Sequence, residues 1–84
     1  MSSKDQVRTY ILENYLFTND PDALGDDDSF MELGIIDSTG VLELIAFLEE
    51  TFAIRVDEGD MLPENLDSIN RLAAYLQRQM ALSA

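Results

Sequence analysis

Cysteine and histidine are both absent from this 84-residue chain. Without Cys, no disulfide can stabilise the fold and the chain has no thiolate nucleophile of its own, which fits a reducing compartment. Without His, a serine hydroxyl lacks the base that usually activates it, and metal sites built from Cys or His are excluded. We therefore expect a binding or carrying module that is not an enzyme and holds no metal.

Basic residues are scarce as well: five Lys and Arg stand against 17 Asp and Glu, for a net charge of −12. Such a surface repels nucleic-acid phosphates and anionic lipids, so we expect neither nucleic acid nor a membrane as a partner. The same surface attracts proteins that carry Lys/Arg patches and speeds the encounter with them. The alternative is that the acidic residues only keep the protein soluble.

Long apolar runs are also lacking, so no segment reaches transmembrane length, and the first residues do not have the pattern of a signal peptide. With 46% hydrophobic residues, the chain is nevertheless too apolar for a disordered acidic tail. Its length allows one domain, residues 1–84, with a small core. We expect a cytoplasmic monomer, ordered from about residue 4 to 80, with a frayed tail at residues 81–84.

The first predicted helix runs from about Lys4 to Phe17, where apolar residues recur at helical spacing. Ser3 and Gln6 fit a capping box at its start. A long acidic loop follows over residues 21–36, and a loop of this length in a small domain is usually held by its own side chains. The residues expected to bury themselves and hold it are Leu24, Phe30, Leu33 and Ile36.

Two further long helices are predicted in the rest of the chain. One runs from Asp37-Ser38 to about Thr51, and the other begins near Asp67-Ser68, both good caps. Between them, residues 53–63 permit an extended linker that docks Ile54 and Val56 on the core, then one helical turn at most. The predicted fold is an all-α bundle of three long helices and one short helix. The last helix is expected to bury Ile69, Leu72, Ala73, Leu76 and Met80.

The second helix divides into two faces, since successive residues turn by about 100°. Its inner stripe consists of Val41, Leu44, Ile45, Leu48 and Phe52. Its outer face carries Glu43, Glu49 and Glu50, which frame Thr39, Leu42 and Ala46. An apolar strip framed by carboxylates is typical of a protein-docking patch, whereas a single exposed Leu is ordinary. On this pattern alone, the apolar strip can be a docking patch or a chance arrangement of exposed residues, and neither alternative is excluded.

Ser38 stands where the second helix begins. The first-turn N–H groups lack helical partners there, and the positive end of the helix dipole faces outward, so a phosphate on the Ser38 oxygen would be well placed. The alternative is that Ser38 or Asp37 is simply an N-cap, which contributes about 1 kcal/mol. The residues alone favour the interpretation that Ser38 or Asp37 is simply an N-cap.

Calcium binding is a further alternative, because two runs of the chain are locally rich in carboxylates, Asp26-Asp27-Asp28 and Asp57-Glu58-Gly59-Asp60. Neither run has the alternating acidic spacing and closing Glu of an EF-hand loop. The sequence therefore predicts no specific calcium site.

The run from Phe30 to Val56 resembles the acyl carrier protein family. The matching motifs are Leu33-Gly34, Asp37-Ser38, Leu42-Glu43-Leu44, Leu48-Glu49-Glu50, Phe52 and Ile54-Arg55-Val56. The resemblance extends over essentially the whole chain. It implies that a phosphopantetheinyl transferase esterifies Ser38, beside Asp37, with 4′-phosphopantetheine from coenzyme A, and that the thiol of this arm holds an acyl or aminoacyl group as a thioester.

The resemblance also implies partners, namely an adenylate-forming ligase or acyltransferase with a basic docking patch. The acids and apolar residues of the outer face would meet that patch. Four residues of the inner stripe would line any pocket that shelters cargo, namely Leu44, Ile45, Leu48 and Phe52. Fatty-acid carriers differ in having one residue between the Gly and the Asp-Ser, where this chain has Ile35-Ile36, and in lacking Thr39 and Gly40. The chain looks more like stand-alone D-alanyl, aminoacyl or specialised-metabolite carriers. The competing class is an acidic helical interaction module without a prosthetic group.

Overall fold

The computed structural model describes residues 2–83, which form an all-α bundle in which no strand occurs. The helices are α1 (Ser3–Ile11), α2 (Ser38–Phe52), α3 (Pro63–Leu66) and α4 (Ile69–Ser83). A π-turn, Leu12–Leu16, extends α1, and 3-10 turns lie at Pro21–Ala23 and Glu58–Asp60. The predicted fold class, three long helices and one short one, is confirmed. Within residues 2–83, no helix is long and apolar enough to cross a membrane.

Helix α1 begins one residue earlier than the capping pattern predicted. The Ser2 hydroxyl accepts a hydrogen bond from the backbone N–H of Asp5 at 3.1 Å, and Ser2 has extended backbone angles. Ser3 is already the first helical residue, so its identification as the N-cap was wrong. The segment ends at Phe17, as expected, because Phe17 adopts left-handed backbone angles with φ 54°.

Three of the four expected side chains do hold the long loop on the core: Leu24, Phe30 and Ile36 are buried. Leu33 is 57% exposed, and the prediction for it was wrong. The cause is the turn around Gly34, whose φ of 69° is left-handed. The N–H of Ile35 bonds back to the Phe30 carbonyl at 2.9 Å, as in a Schellman motif, and leaves Leu33 on the outer side of the turn.

Polar contacts fix the same loop to the helices on either side. The Asp26 carboxylate pairs with Lys4 at 2.8 Å and with Arg8, both on α1. At the end of α3, the Asp67 carboxylate accepts hydrogen bonds from the Met31 N–H at 3.0 Å and from the Ser29 hydroxyl. The long loop is therefore built into the bundle along its whole length.

The second half of the chain follows the prediction closely. Ile54 and Val56 are buried, and the Ser68 hydroxyl caps α4 by accepting from the Arg71 N–H at 3.1 Å. Of the stripe predicted on α4, Ala73 and Met80 are only half-buried, whereas Ile69, Leu72 and Leu76 are fully enclosed. Helix α4 continues to Ser83, Ala84 lies outside the described residues, and fraying of this end stays a prediction.

Tyr75 is a core residue that the periodicity missed, with only 2% of its surface exposed. Its hydroxyl donates to the Asp60 carboxylate at 3.0 Å. A tyrosine can be buried where its hydroxyl finds such a partner. This contact ties the 3-10 turn at Glu58–Asp60 to α4.

Candidate functional site

Ser38 is the first residue of α2, and Asp37 is its N-cap. The Asp37 carboxylate accepts a hydrogen bond from the Gly40 N–H at 2.8 Å, and the Asp37 carbonyl accepts from the Val41 N–H at 2.9 Å. The Ser38 hydroxyl is therefore not needed as a cap. It is exposed and makes no hydrogen bond to any side chain or backbone group within residues 2–83.

A cleft of about 260 Å³ lies beside Ser38. Its walls are mostly apolar and come from the long loop, the start of α2, and the segment around α3. They include Phe30, Met31, Ile36, Val41, Met61, Leu62, Pro63 and Leu66, with Asp37 and Asp67 as the two acidic residues. Such a cleft can accept the apolar part of a molecule bound beside Ser38.

The lining of this cleft differs from the prediction for the inner stripe of α2. None of the four predicted residues lines it: Leu44, Ile45 and Leu48 are buried in the core, and half-buried Phe52 packs against the core. Sequence reasoning missed Met31 and Leu62, which are 58% and 42% exposed on the cleft. The sequence feature that could have identified them is local, since each is a large apolar residue within a mainly polar loop.

The outer face of α2 is exposed at most of the predicted positions. Thr39, Glu43, Ala46 and Glu50 are exposed, and Leu42 is 62% exposed. Glu49 is different, because it is half-buried and its carboxylate accepts a hydrogen bond from the Val56 N–H at 3.0 Å. Glu49 therefore ties the end of α2 to the linker.

The carboxylates of α2 form no ion pair within the described residues, 2–83, where both ion pairs belong to Asp26. Two other basic side chains are also held elsewhere. Arg71 donates to the Pro63 carbonyl at 3.2 Å, and Arg78 donates to the Asn65 side chain at 2.9 Å. The negative charge of the outer face of α2 therefore has no basic side chain bonded to it.

Helix α1 also reaches the start of α2. The Tyr15 hydroxyl donates to the Gly40 carbonyl at 2.9 Å. Burial, followed by contacts with Tyr10 and Glu43, raises the pKa of Tyr15 well above its usual value. The hydroxyl is therefore a neutral donor at physiological pH.

Comparison with known sequences identifies relatives. The sequence profile of a family described as "Phosphopantetheine attachment site" matches residues 6–76. A D-alanyl carrier protein from Streptococcus uberis is 35% identical over 57 residues, which cover 68% of this chain and 71% of that protein. The profile match includes α2 and the loop before it.

Proposed function

Because this chain belongs to the family of phosphopantetheine attachment domains, we propose that Ser38 is its attachment residue and that it carries an acyl or aminoacyl group as a thioester. Members of this family bear 4′-phosphopantetheine covalently on a serine and are carriers without catalytic activity of their own. On this proposal the protein is a substrate of a phosphopantetheinyl transferase and then of a loading ligase or acyltransferase. Its monomeric state and cytoplasmic location stay predictions.

The observation that carries the assignment is the state of the three serines within residues 6–76. The Ser29 hydroxyl donates to Asp67 and accepts from the Glu32 N–H at 3.2 Å. Ser68 is 3% exposed and caps α4. Ser38 alone among the three has an exposed hydroxyl that the fold does not use.

The surroundings of Ser38 fit the group. Its oxygen would form the phosphate ester, the N-terminal end of α2 favours a negative charge beside it, and the cleft beside it accepts apolar atoms. When bound, the arm supplies the thiol that this Cys-free chain lacks. The chain's own residues bind and orient the arm, with Asp37 fixing the first turn.

The outer face of α2 is the proposed docking surface for the enzymes that modify and load the carrier. It comprises Thr39, Leu42, Glu43, Ala46, Glu49 and Glu50. Exposed Leu42 supplies apolar contact beside carboxylates that have no internal basic partner, which suits an enzyme with a Lys/Arg patch. Glu50 and Glu43 supply the charge, while Glu49 contributes through the Val56 contact that holds the end of the helix.

For the cargo, we propose an amino acid, with D-alanine as the first candidate. The support is the relative named as a D-alanyl carrier protein and the presence of Thr39 and Gly40 after the serine. The test is to convert the protein to its phosphopantetheinyl form and incubate it with ATP, one carboxylic acid at a time, and an adenylate-forming ligase for each class. Intact-mass spectra should show thioester formation with D-alanine. Loading by fatty acids alone would contradict the aminoacyl cargo.

A further inference from the structure

The π-turn at the end of α1 changes which residues face α2. Residues five apart on a regular α-helix point about 140° away from each other. The i to i+5 hydrogen bonding of a π-turn brings such residues back toward one face, and such turns are frequent at functional sites. Tyr10 and Tyr15 are five apart, and here both face α2, with ring centroids 5.8 Å from each other. The π-turn thus places a second tyrosine against α2.

The two tyrosines donate to two different places on α2. The Tyr10 hydroxyl reaches the Glu43 carbonyl at 3.5 Å, and its ring stacks on Phe47 with centroids 3.9 Å apart. The Tyr15 hydroxyl reaches the Gly40 carbonyl at 2.9 Å, in the first turn. Tyr15 is therefore the one of the two that touches the turn that holds Ser38.

Gly40 is closely surrounded, so a side chain there would require its neighbours to move by a few tenths of an ångström. A Cβ there would lie 3.0 Å from the Ile36 side chain and 3.3 Å from the Tyr15 ring. Glycine is otherwise unfavourable in the interior of a helix. The π-turn and Gly40 are thus two local irregularities that permit the same contact, the one between Tyr15 and the first turn of α2.

We propose that Tyr15 is a positioning residue for phosphopantetheine attachment. Both backbone groups of Gly40 are held: Asp37 accepts from its N–H at 2.8 Å, and Tyr15 donates to its carbonyl at 2.9 Å. These two contacts fix the first turn of α2 and with it the direction in which Ser38 is presented. The inference rests on the proposed role of Ser38.

Attachment is sensitive to such positioning. The Ser38 oxygen bonds to the pantetheine-side phosphorus of coenzyme A, the bond from that phosphorus to adenosine 3′,5′-bisphosphate breaks, and the hydroxyl proton passes to a base of the transferase. A displacement of this kind requires the attacking oxygen to be held close to the phosphorus and in line, so a small shift of the turn slows it.

The test compares Tyr15→Phe, which removes only the hydroxyl, with Tyr10→Phe as a matched control on the same interface. Each variant is mixed with coenzyme A and an excess of a broad-specificity transferase, and mass gain is followed in a single turnover. Tyr15→Phe should lower the rate at saturating transferase about fivefold, the order expected for one hydrogen bond, and change the half-saturating transferase concentration less than about twofold. Tyr10→Phe should change both quantities less than about twofold.

Circular dichroism shows whether each variant is folded, and amide chemical shifts show whether the first turn of α2 has moved. Equal rates for Tyr15→Phe and the unchanged protein would overturn the inference, as would equal losses in the two Phe variants. A loss that merely follows the unfolded fraction would overturn it too, since the role would then be structural. Shifted Ser38 and Thr39 amides in a folded Tyr15→Phe protein would support it. Failure of the proposed function looks different: the unchanged protein itself would gain no mass on Ser38.

Discussion

The Asp37 carboxylate accepts a hydrogen bond from the Gly40 N–H at 2.8 Å, and this contact frees the neighbouring Ser38 from capping α2. From the sequence, either residue could be the N-cap, and a serine in that position is most simply a cap. The structure divides the two tasks between neighbours. Asp37 satisfies the helix, and the Ser38 hydroxyl is left exposed.

This division predicts unequal effects of two neighbouring substitutions on stability. Asp37→Ala should lower the free energy of unfolding by about 1 kcal/mol, because the Gly40 N–H loses its acceptor. Ser38→Ala should change it by less than about 0.5 kcal/mol, the usual range for an exposed surface position. Urea denaturation followed by circular dichroism measures both. A loss of stability for Ser38→Ala as large as that for Asp37→Ala would mean that Ser38 contributes to capping α2.

Reversing charge on the outer face of α2 should slow modification in a salt-dependent way. Glu43→Lys combined with Glu50→Lys should reduce the rate more at low ionic strength than at high, because exposed charges are screened over about 10 Å at 0.1 M salt. The control pair, Glu13→Lys with Asp22→Lys, makes the same change of charge at exposed positions outside α2. Transfer rates at several salt concentrations measure the effect. Equal slowing by both pairs, or slowing independent of salt, would argue against electrostatic docking at this face.

The left-handed residue that ends α2 offers a test of the fold itself. Ala53 has φ 54°, a conformation that costs a non-glycine residue roughly 1 kcal/mol or more. Ala53→Gly should therefore raise the free energy of unfolding by about 0.5 to 1 kcal/mol. The same substitution at exposed Ala74, inside α4, should lower it by about 0.5 to 1 kcal/mol. Chemical denaturation of the two variants should thus give shifts of opposite sign, and shifts of the same sign would be inconsistent with the described end of α2.

Tyr75 predicts a pH dependence of stability in alkaline solution. Burial, with a smaller contribution from the Asp60 hydrogen bond, raises its pKa from 10 to about 12. Between these values the unfolded chain has lost the proton and the folded chain keeps it, so stability falls as pH rises. The stability difference between the unchanged protein and Tyr75→Phe should be constant below about pH 9 and shrink by about 1.4 kcal/mol by pH 11. Urea titrations at several pH values measure it, and a difference that stays constant would contradict the raised pKa.

Local patterns predicted the long helices and the position of Ser38 well. The caps of α2 and α4, the apolar spacing of the helices and the Ile54 and Val56 linker depend mainly on neighbours in the chain. These predictions hold in the structure. The misplaced α1 cap is also local, because Ser2 and Ser3 are both suitable residues and only backbone angles distinguish them.

The remaining features depend on contacts that periodicity does not encode. Leu33 is turned outward by the left-handed angle at Gly34, and Tyr75 is buried because Asp60 lies within reach of its hydroxyl. The cleft beside Ser38 joins Met31 to Leu62, which are far apart in sequence. The approach of Tyr15 to α2 depends on a π-turn, which the apolar spacing of α1 gave no reason to expect.

The most direct test of the central claim is the site of modification in the intact protein. The full chain and its Ser38→Ala variant are incubated with coenzyme A and a broad-specificity phosphopantetheinyl transferase, and both are examined by intact mass and by peptide mapping. The account predicts a gain of one phosphopantetheinyl group in the unchanged chain, located on the peptide that contains Ser38, and no gain in a folded Ser38→Ala protein. No gain in the unchanged chain, or a gain that persists without the Ser38 hydroxyl, would contradict it.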